Sequence, residues 1–252
     1  MLIYLISHKS LDCHSLITFS YLSLSLLLTP DFTTRTNYHH SPIPMSSSPE
    51  GYAIELYMDP ALENQVLKSW NVLARRQIST SLITTASRPH ITLFSTTSLL
   101  DPLKLEPLLK TLTTTTSPFP LSFSSISSFS NDNNTLFLSP TPSLSLLNFH
   151  SNLIDSIVKE NVVDVGDEFC VGNWIPSCEV AKNVSKGRMT EAFSILREIK
   201  LPVNGYAVDV ALVSFNPVQE VFSFVLGNHG NNNVVDNWLF FWIQSHVCYI
   251  IS

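Results

Sequence analysis

Apolar and polar residues follow two different spacings in the middle of the chain. GYAIELYM, residues 51–58, alternates with a period of about two, which is typical of a β-strand. Asp59 and Pro60 follow at once, and an acidic N-cap before a proline at the first helical position is a strong start signal for a helix. Apolar residues three and four apart come next, so the spacing predicts an amphipathic helix over 60–77.

RPHITLF, residues 88–94, has the alternation of a second strand. Because successive side chains of a strand point to opposite faces, His90 and Thr92 share one face while Ile91 and Leu93 share the other. The apolar pair is predicted to enter the core. What the histidine and the threonine face is then the main question that the sequence raises.

The pattern that follows RPHITLF occurs twice. Each copy is a strand, an amphipathic helix and two further strands, and a helix over 144–160 precedes the second copy as 60–77 precedes the first. The two copies are predicted over 88–94, 102–112, 119–129 and 135–140, and over 174–181, 189–199, 201–215 and 220–226.

This repeat predicts a duplicated architecture of the α+β class. We expect two pseudo-symmetric lobes around a central cleft, each an antiparallel sheet with helices on its outer face. Lobe one would cover about 51–142 and lobe two about 143–229. The order of elements is not the alternating βαβ series of a dinucleotide-binding fold, and the sequence contains neither GxGxxG nor GxxxxGK[ST].

The repeat also shows which residues lie opposite the histidine. Pro89 and Pro176 are 87 residues apart and begin equivalent segments, RPHITLF and WIPSCEVA. Aligning them places Ser177 at the position of His90 and Glu179 at the position of Thr92. By the same alternation Cys178 turns into the core. The face opposite His90 is therefore predicted to offer a hydroxyl and a carboxylate, and no second imidazole.

The two ends of the chain differ from its middle. Residues 1–44 carry an apolar run followed by a Ser/Thr-rich stretch, which fits a signal peptide, an organelle transit peptide, or sequence upstream of a true start at Met45. Residues 230–252 are an Asn run and an interrupted apolar tail. We expect the domain to occupy 45–229 and the protein to be cytoplasmic or nuclear, with organelle or secretory targeting by 1–44 left open.

Composition narrows the classes of partner. The formal net charge is −6 and the sequence pI is about 5.7, which argues against general binding of duplex DNA. A short or terminal phosphate needs only a few local donors. The four cysteines show no CxxC pair or regular spacing, so neither a zinc site nor a disulfide framework is predicted. We expect no metal, no organic cofactor, no membrane association and a monomer.

GYAIELY, RPHITLF, the WIPxC strand and the duplicated layout together resemble the two-histidine (2H) phosphoesterase superfamily over about 51–228. The chain is most similar to the plant branch described as RNA ligase-like or cyclic nucleotide phosphodiesterase-like. The resemblance implies two His-x-Thr/Ser motifs on facing strands, with one histidine as general base, the other as general acid, and the hydroxyls holding phosphate oxygens. The substrates implied are 2′,3′-cyclic or 2′,5′-linked phosphodiesters, as RNA ends or small cyclic nucleotides.

The first motif carries over as His90 and Thr92, whereas the second is degenerate and holds Ser177 and Glu179. Each positioned proton-transfer group contributes typically about 10²–10⁴-fold to such a reaction. Imidazole suits both roles near neutral pH, and serine suits neither without help. Glu179 could substitute only if burial kept it protonated. The expectation is an enzyme slowed by orders of magnitude, or a cleft that binds without turnover.

Residues beside the motifs have both a structural and a functional interpretation. Arg88 and Lys182 are either solvated charges or phosphate contacts, and Ser177 is at best a phosphate hydrogen-bond donor. Trp174 either packs in the core or stacks on a base. His150, among apolar residues of a helix, is predicted to be a half-buried structural histidine.

Three hypotheses remain open at this point. The first is a phosphoesterase in which His90 is a general base or acid. The second is a catalytically inactive module that binds RNA ends or nucleotides in the same cleft. The third is a domain kept for protein contacts alone.

Overall fold

A computed structural model describes residues 49–99, 101–129 and 133–228. The predictions for the leader, 1–44, and for the tail, 230–252, lie outside the described residues, as does the proposed start at Met45.

Seven strands form one antiparallel sheet. They are β1 (Gly51–Met58), β2 (His90–Thr96), β3 (Phe119–Ser128), β4 (Leu136–Pro140), β5 (Cys178–Ala181), β6 (Val203–Phe215) and β7 (Gln219–Val225). The helices are α1 (Pro60–Arg75), α2 (Ser81–Thr84), α3 (Glu106–Thr115), α4 (Leu144–Lys159) and α5 (Met189–Leu196). Short 3₁₀ turns occupy Pro102–Leu105, Asp167–Phe169 and Lys186–Arg188. The α+β class and the antiparallel sheet are thereby confirmed.

The order of the strands in the sheet is symmetric. It runs β2-β1-β6-β3-β4-β5, with β7 also paired to β6. Exchanging β1 with β4, β2 with β5 and β3 with β6 gives the same order read from the other end. The predicted equivalences of β2 with β5 and of β3 with β6 therefore hold in the hydrogen-bonded sheet, with an approximate axis between β3 and β6. The predicted equivalence of 135–140 with 220–226 is wrong, because β4 corresponds to β1 and β7 has no counterpart in this order.

The long strand β6 joins the two parts of this sheet. Residues 203–207 pair with β3, and residues 207–215 pair with β1, while β7 pairs with 209–214. The strands of the two predicted lobes are thus exchanged within the sheet. We refer to β1, β2 and β7 with the second part of β6 as the His90 half, and to β3, β4 and β5 with the first part of β6 as the Glu179 half.

Helices α1 and α4 occupy equivalent positions and begin on similar caps. The Asp59 carboxylate accepts hydrogen bonds from the backbone N–H groups of Ala61 and Leu62, at 2.9 and 3.1 Å. The Ser143 hydroxyl accepts one from the N–H of Leu146 at 3.2 Å. These bonds satisfy donors that the first turn of a helix leaves unpaired. Each helix buries one apolar stripe, so the core lies between the helices and one face of the sheet.

The alternation predicted for the motif strands is observed. Ile91, Leu93 and Cys178 are fully buried, whereas His90 and Thr92 are only partly buried. No helix among the described residues is long and apolar enough to cross a membrane.

Candidate functional site

Strands β2 and β5 lie beside each other although they are at opposite ends of the strand order. The indole N–H of Trp174, just before β5, donates to the carbonyl of Thr92 at 3.1 Å, and the backbone of His90 is close enough to the Cys178 thiol to affect its pKa. Burial raises the pKa of the Cys178 thiol, which suits a structural cysteine rather than a nucleophile. The structure thus brings together the two strand segments that the repeat had aligned.

The His90 ring is held at its Nδ1 atom. Nδ1 lies 2.6 Å from the backbone oxygen of Arg88 and 3.3 Å from Oε2 of Glu55. Both neighbours are hydrogen-bond acceptors, so Nδ1 carries a proton and donates it. In the neutral ring the lone pair is then on Nε2, which leaves that nitrogen for proton transfer to a ligand. The His90 side chain keeps 14% of its surface exposed.

The register between β1 and β2 positions the carboxylate. Tyr57 lies opposite His90 and Glu55 opposite Thr92. The Tyr57 hydroxyl donates to Oε2 of Glu55 at 2.8 Å, and its ring meets the His90 ring edge-on with centroids 6.4 Å apart. Burial, and then the Glu55 charge, raise the pKa of the Tyr57 phenol, which therefore remains a donor at neutral pH.

Arg88 is bound by protein carboxylates. Its Nε and one terminal nitrogen contact Oε2 of Glu63 at 3.0 and 2.9 Å, and its other terminal nitrogen lies 3.9 Å from Asp209. Its guanidinium carbon is 4.2 Å from the centre of the Tyr57 ring. Burial opposes the charge of Arg88, but Glu63 and Asp209 outweigh it and raise the pKa. Burial raises the pKa of Asp209, although Arg88 acts against that shift.

The Glu179 half carries a different set of side chains. Glu179 forms an ion pair with Lys182 at 2.6 Å and lies opposite Phe137 on β4. Phe137 stacks on Phe129 with ring centroids 4.3 Å apart. Ser177 is partly buried just before β5. The predicted phosphate contacts Arg88 and Lys182 therefore both have carboxylate partners within the protein.

Trp174 and His150 form a stacked pair. Their ring centroids are 3.8 Å apart and the rings are nearly parallel, at 5°. His150 is 2% exposed, more buried than its sequence predicted, and burial lowers its pKa to about 4, although the nearby Leu93 backbone acts against the shift. The pair is linked to β2 through Trp174, whose indole N–H donates to the carbonyl of Thr92. In the structure Trp174 thus stacks on a protein ring; its role toward a base stays a prediction.

Four carboxylate and phenol groups near His90 were not singled out from the sequence. Glu55 and Tyr57 could have been noticed, because a carboxylate and a phenol are unusual inside the apolar strand GYAIELYM. The pairing of β1 with β2 was still needed to show that their partner is His90. Nothing local distinguishes the other two, which reach Arg88 from a helix and from a distant strand. The four are Glu55, Tyr57, Glu63 and Asp209.

Other concave regions lie elsewhere. A groove of about 840 Å³ separates α3 from α4, and a pocket of about 360 Å³ lies beside Ser143 and Tyr206; neither is lined by His90 or Glu179. Within the described ranges no group of three or more His, Cys, Asp or Glu side chains could hold a metal ion.

The symmetric antiparallel sheet with helices packed on one face is a known fold of the α+β class. TT0787 of Thermus thermophilus shares it, with a TM-score of 0.50 at 12% identity, over 71% of this chain and all of that one. E. coli LigT in complex with 3′-AMP (TM-score 0.47, 12% identity, 71% and 99% covered) and Kluyveromyces marxianus Usb1 (TM-score 0.40, 15% identity, 69% and 98% covered) are more distant matches.

The sequence itself matches the family model described as the 2′-5′ RNA ligase superfamily over residues 60–217. The match covers more than half of the chain, and the chain belongs to that superfamily. The resemblance to the 2H phosphoesterases is thereby confirmed. A search of curated protein sequences gave no significant match.

Proposed function

We propose that this protein acts on 2′,3′-cyclic or 2′,5′-linked phosphodiesters where β2 and β5 meet. His90 is the proton-transfer group and the Thr92 hydroxyl holds a phosphate oxygen. One observation carries the proposal: the Arg88 carbonyl, 2.6 Å from Nδ1, fixes the ring so that Nε2 is the nitrogen available to a substrate. A positioned imidazole of this kind contributes about 10²–10⁴-fold to phosphodiester cleavage.

Membership of the 2′-5′ RNA ligase superfamily supports this class of substrate. RNA ends and small cyclic nucleotides are the ligands that we propose, bound by a monomer without a metal. Turnover should therefore be insensitive to a chelator such as EDTA.

A second candidate is binding without turnover. It is favoured by the Glu179 half, where Ser177 cannot transfer a proton near neutral pH and Glu179 is ion-paired with Lys182 at 2.6 Å. An ionised carboxylate accepts a proton but does not supply one to a leaving oxygen. In this case the protein would bind RNA ends reversibly at the same cleft.

Turnover of 2′,3′-cyclic nucleotides by the full chain separates the two candidates. We expect slow hydrolysis at micromolar enzyme over hours, lost in His90→Ala and retained in Lys104→Ala, which changes an exposed residue outside the site. Absence of product over that time would sink the phosphoesterase proposal. Salt-sensitive binding that is weakened in His90→Ala without product would instead support the binding module.

A further inference from the structure

Glu55 is a buried carboxylate with two partners on neighbouring strands. It is 8% exposed, accepts the Tyr57 hydroxyl at 2.8 Å, and lies 3.3 Å from Nδ1 of His90 through the same oxygen, Oε2. The strand pairing fixes all three side chains on one face, with Tyr57 opposite His90. The imidazole is therefore contacted at Nδ1 by a buried carboxylate that the Tyr57 hydroxyl also binds.

The two acceptors at Nδ1 also decide what Nε2 can do. Because the proton of the neutral ring is held on Nδ1, the lone pair of Nε2 is directed at a ligand and can take a proton from it. Glu55 therefore suits His90 to the role of general base.

The equivalent place in the Glu179 half lacks such a device. Phe137 lies opposite Glu179 as Glu55 lies opposite Thr92, and it stacks on Phe129 instead of holding a polar group. This half has no histidine at the equivalent position either, because Ser177, just before β5, stands where His90 stands in the other half. The group that is missing here is thus the general acid, which would work together with a general base.

We infer that His90 is the general base, that Glu55 is its positioning carboxylate, and that the cleft lacks a general acid. The inference rests on the proposed function and specifies how its substrates rank. Phosphodiesters with a ribose alkoxide as leaving group react slowly, and those whose leaving oxygen is acidic enough to depart without being protonated react fastest.

The step balances without any further group. Nε2 of His90 takes a proton from a water molecule, the water oxygen forms a bond to phosphorus, and the bond from phosphorus to the leaving oxygen breaks. The leaving group departs with the electron pair as an oxyanion. The imidazolium then returns its proton to solvent. A general acid would add about 10²–10⁴-fold for an alkoxide leaving group and much less for an acidic phenol.

A series of substrates in which only the leaving group changes tests this directly. Aryl esters of deoxythymidine 3′-phosphate lack a 2′-hydroxyl, so water must be the nucleophile. For the full chain we expect the 4-nitrophenyl ester to react about 10²-fold faster than the phenyl ester. Ser177→His supplies an acid and should accelerate the phenyl ester more than the nitrophenyl ester. Equal rates for the two esters in the unmodified protein would overturn the inference, because a proton donor would then be present.

Glu55→Gln tests the positioning role. We expect kcat to fall about tenfold with little change in KM, because the carboxylate that contacts Nδ1 of His90 becomes a neutral amide. Leu56→Val, on the opposite face of the same strand, is the matched control and should leave kcat and KM in place. An unchanged kcat in Glu55→Gln would exclude a positioning role for Glu55.

Nitrogen NMR of the His90 ring gives a reading that needs no turnover. In the neutral ring we expect the proton on Nδ1, and a proton on Nε2 would overturn the assignment of the base. Failure of every ester to react would sink the proposed function itself. Turnover with a shallow dependence on the leaving group would sink only this inference.

Discussion

The two halves of the sheet carry equivalent apolar residues on the face covered by helices and different residues on the opposite face. Ile91 and Cys178 occupy equivalent positions and are both fully buried. On the other face, His90 has Glu55 behind it, whereas the corresponding strand of the Glu179 half presents Phe137. The two halves thus keep equivalent apolar residues on the helix-covered face and differ on the opposite face, where Glu55 is 8% exposed and Phe137 3%.

Restoring the Glu179 half should give the largest effect. Ser177→His together with Glu179→Thr recreates a second His-x-Thr motif, and we expect hydrolysis of a 2′,3′-cyclic nucleotide to rise by about 10²–10⁴-fold. Steady-state kinetics measure the gain. Adding His90→Ala should remove it, and a double variant as slow as the parent protein would show that the halves do not share one site.

Truncating one buried side chain in each half compares how much the two buried faces contribute to the free energy of unfolding. Ile91→Ala should lower the free energy of unfolding by about 2–5 kcal/mol, as is usual when a fully buried aliphatic side chain is removed. Cys178→Ala removes only a sulfur atom and should cost about 1 kcal/mol. Urea unfolding of both variants gives the two values. A larger loss at Cys178 would mean that the Glu179 half, not the His90 half, dominates stability.

Acidification should lower the free energy of unfolding through His150, because burial of its ring opposes protonation in the folded protein. Its pKa is about 4 in the folded protein and about 6.5 when unfolded, so the unfolded chain binds more protons between these values. Stability is therefore full above pH 6.5 and is lost as the pH falls toward 4, by up to about 3 kcal/mol.

His150→Phe preserves a ring to stack on Trp174 but cannot take up a proton. The difference in unfolding free energy between parent and variant should shrink or reverse from pH 7 to pH 4, and other groups such as Asp209 cancel in that difference. A constant difference over this range would mean that His150 does not titrate on unfolding.

The smallest difference between the two halves is expected in the stability that each ion pair contributes. Arg88 and Glu63 have side chains that are 26% and 18% exposed, against 42% and 22% for Lys182 and Glu179. Glu63→Gln should cost about 1–2 kcal/mol because it leaves a largely buried guanidinium with one partner fewer. Lys182→Met should cost less than about 1 kcal/mol. Thermal unfolding in low and high salt distinguishes them, and equal losses would contradict the difference in burial.

Much of the fold follows from local patterns. The predicted helix 60–77 is observed as Pro60–Arg75 and the predicted helix 144–160 as Leu144–Lys159, because their caps and apolar stripes are complete within the segment. Helix α5 ends at Leu196, three residues earlier than predicted. The four-residue helix α2 was not predicted, since it is too short to show a period.

Such local patterns could not predict that the two repeats exchange strands within the sheet. Strands β6 and β7 join β1, and β3 joins β4 and β5, although each repeat reads as a unit along the chain. Alternation tells which face of a strand is apolar and says nothing about which strand lies beside it.

Most of the helices and strands, their buried faces and the unequal motifs could be derived from local patterns, because each depends on residues close together in the chain. Three sets of contacts could be known only from the folded chain: Glu55 with His90, Glu63 and Asp209 with Arg88, and Trp174 with the His150 ring and the Thr92 carbonyl. These contacts join residues from separate elements. They depend on strand register and helix packing, which are set by the free energy of the whole core and not by any one segment.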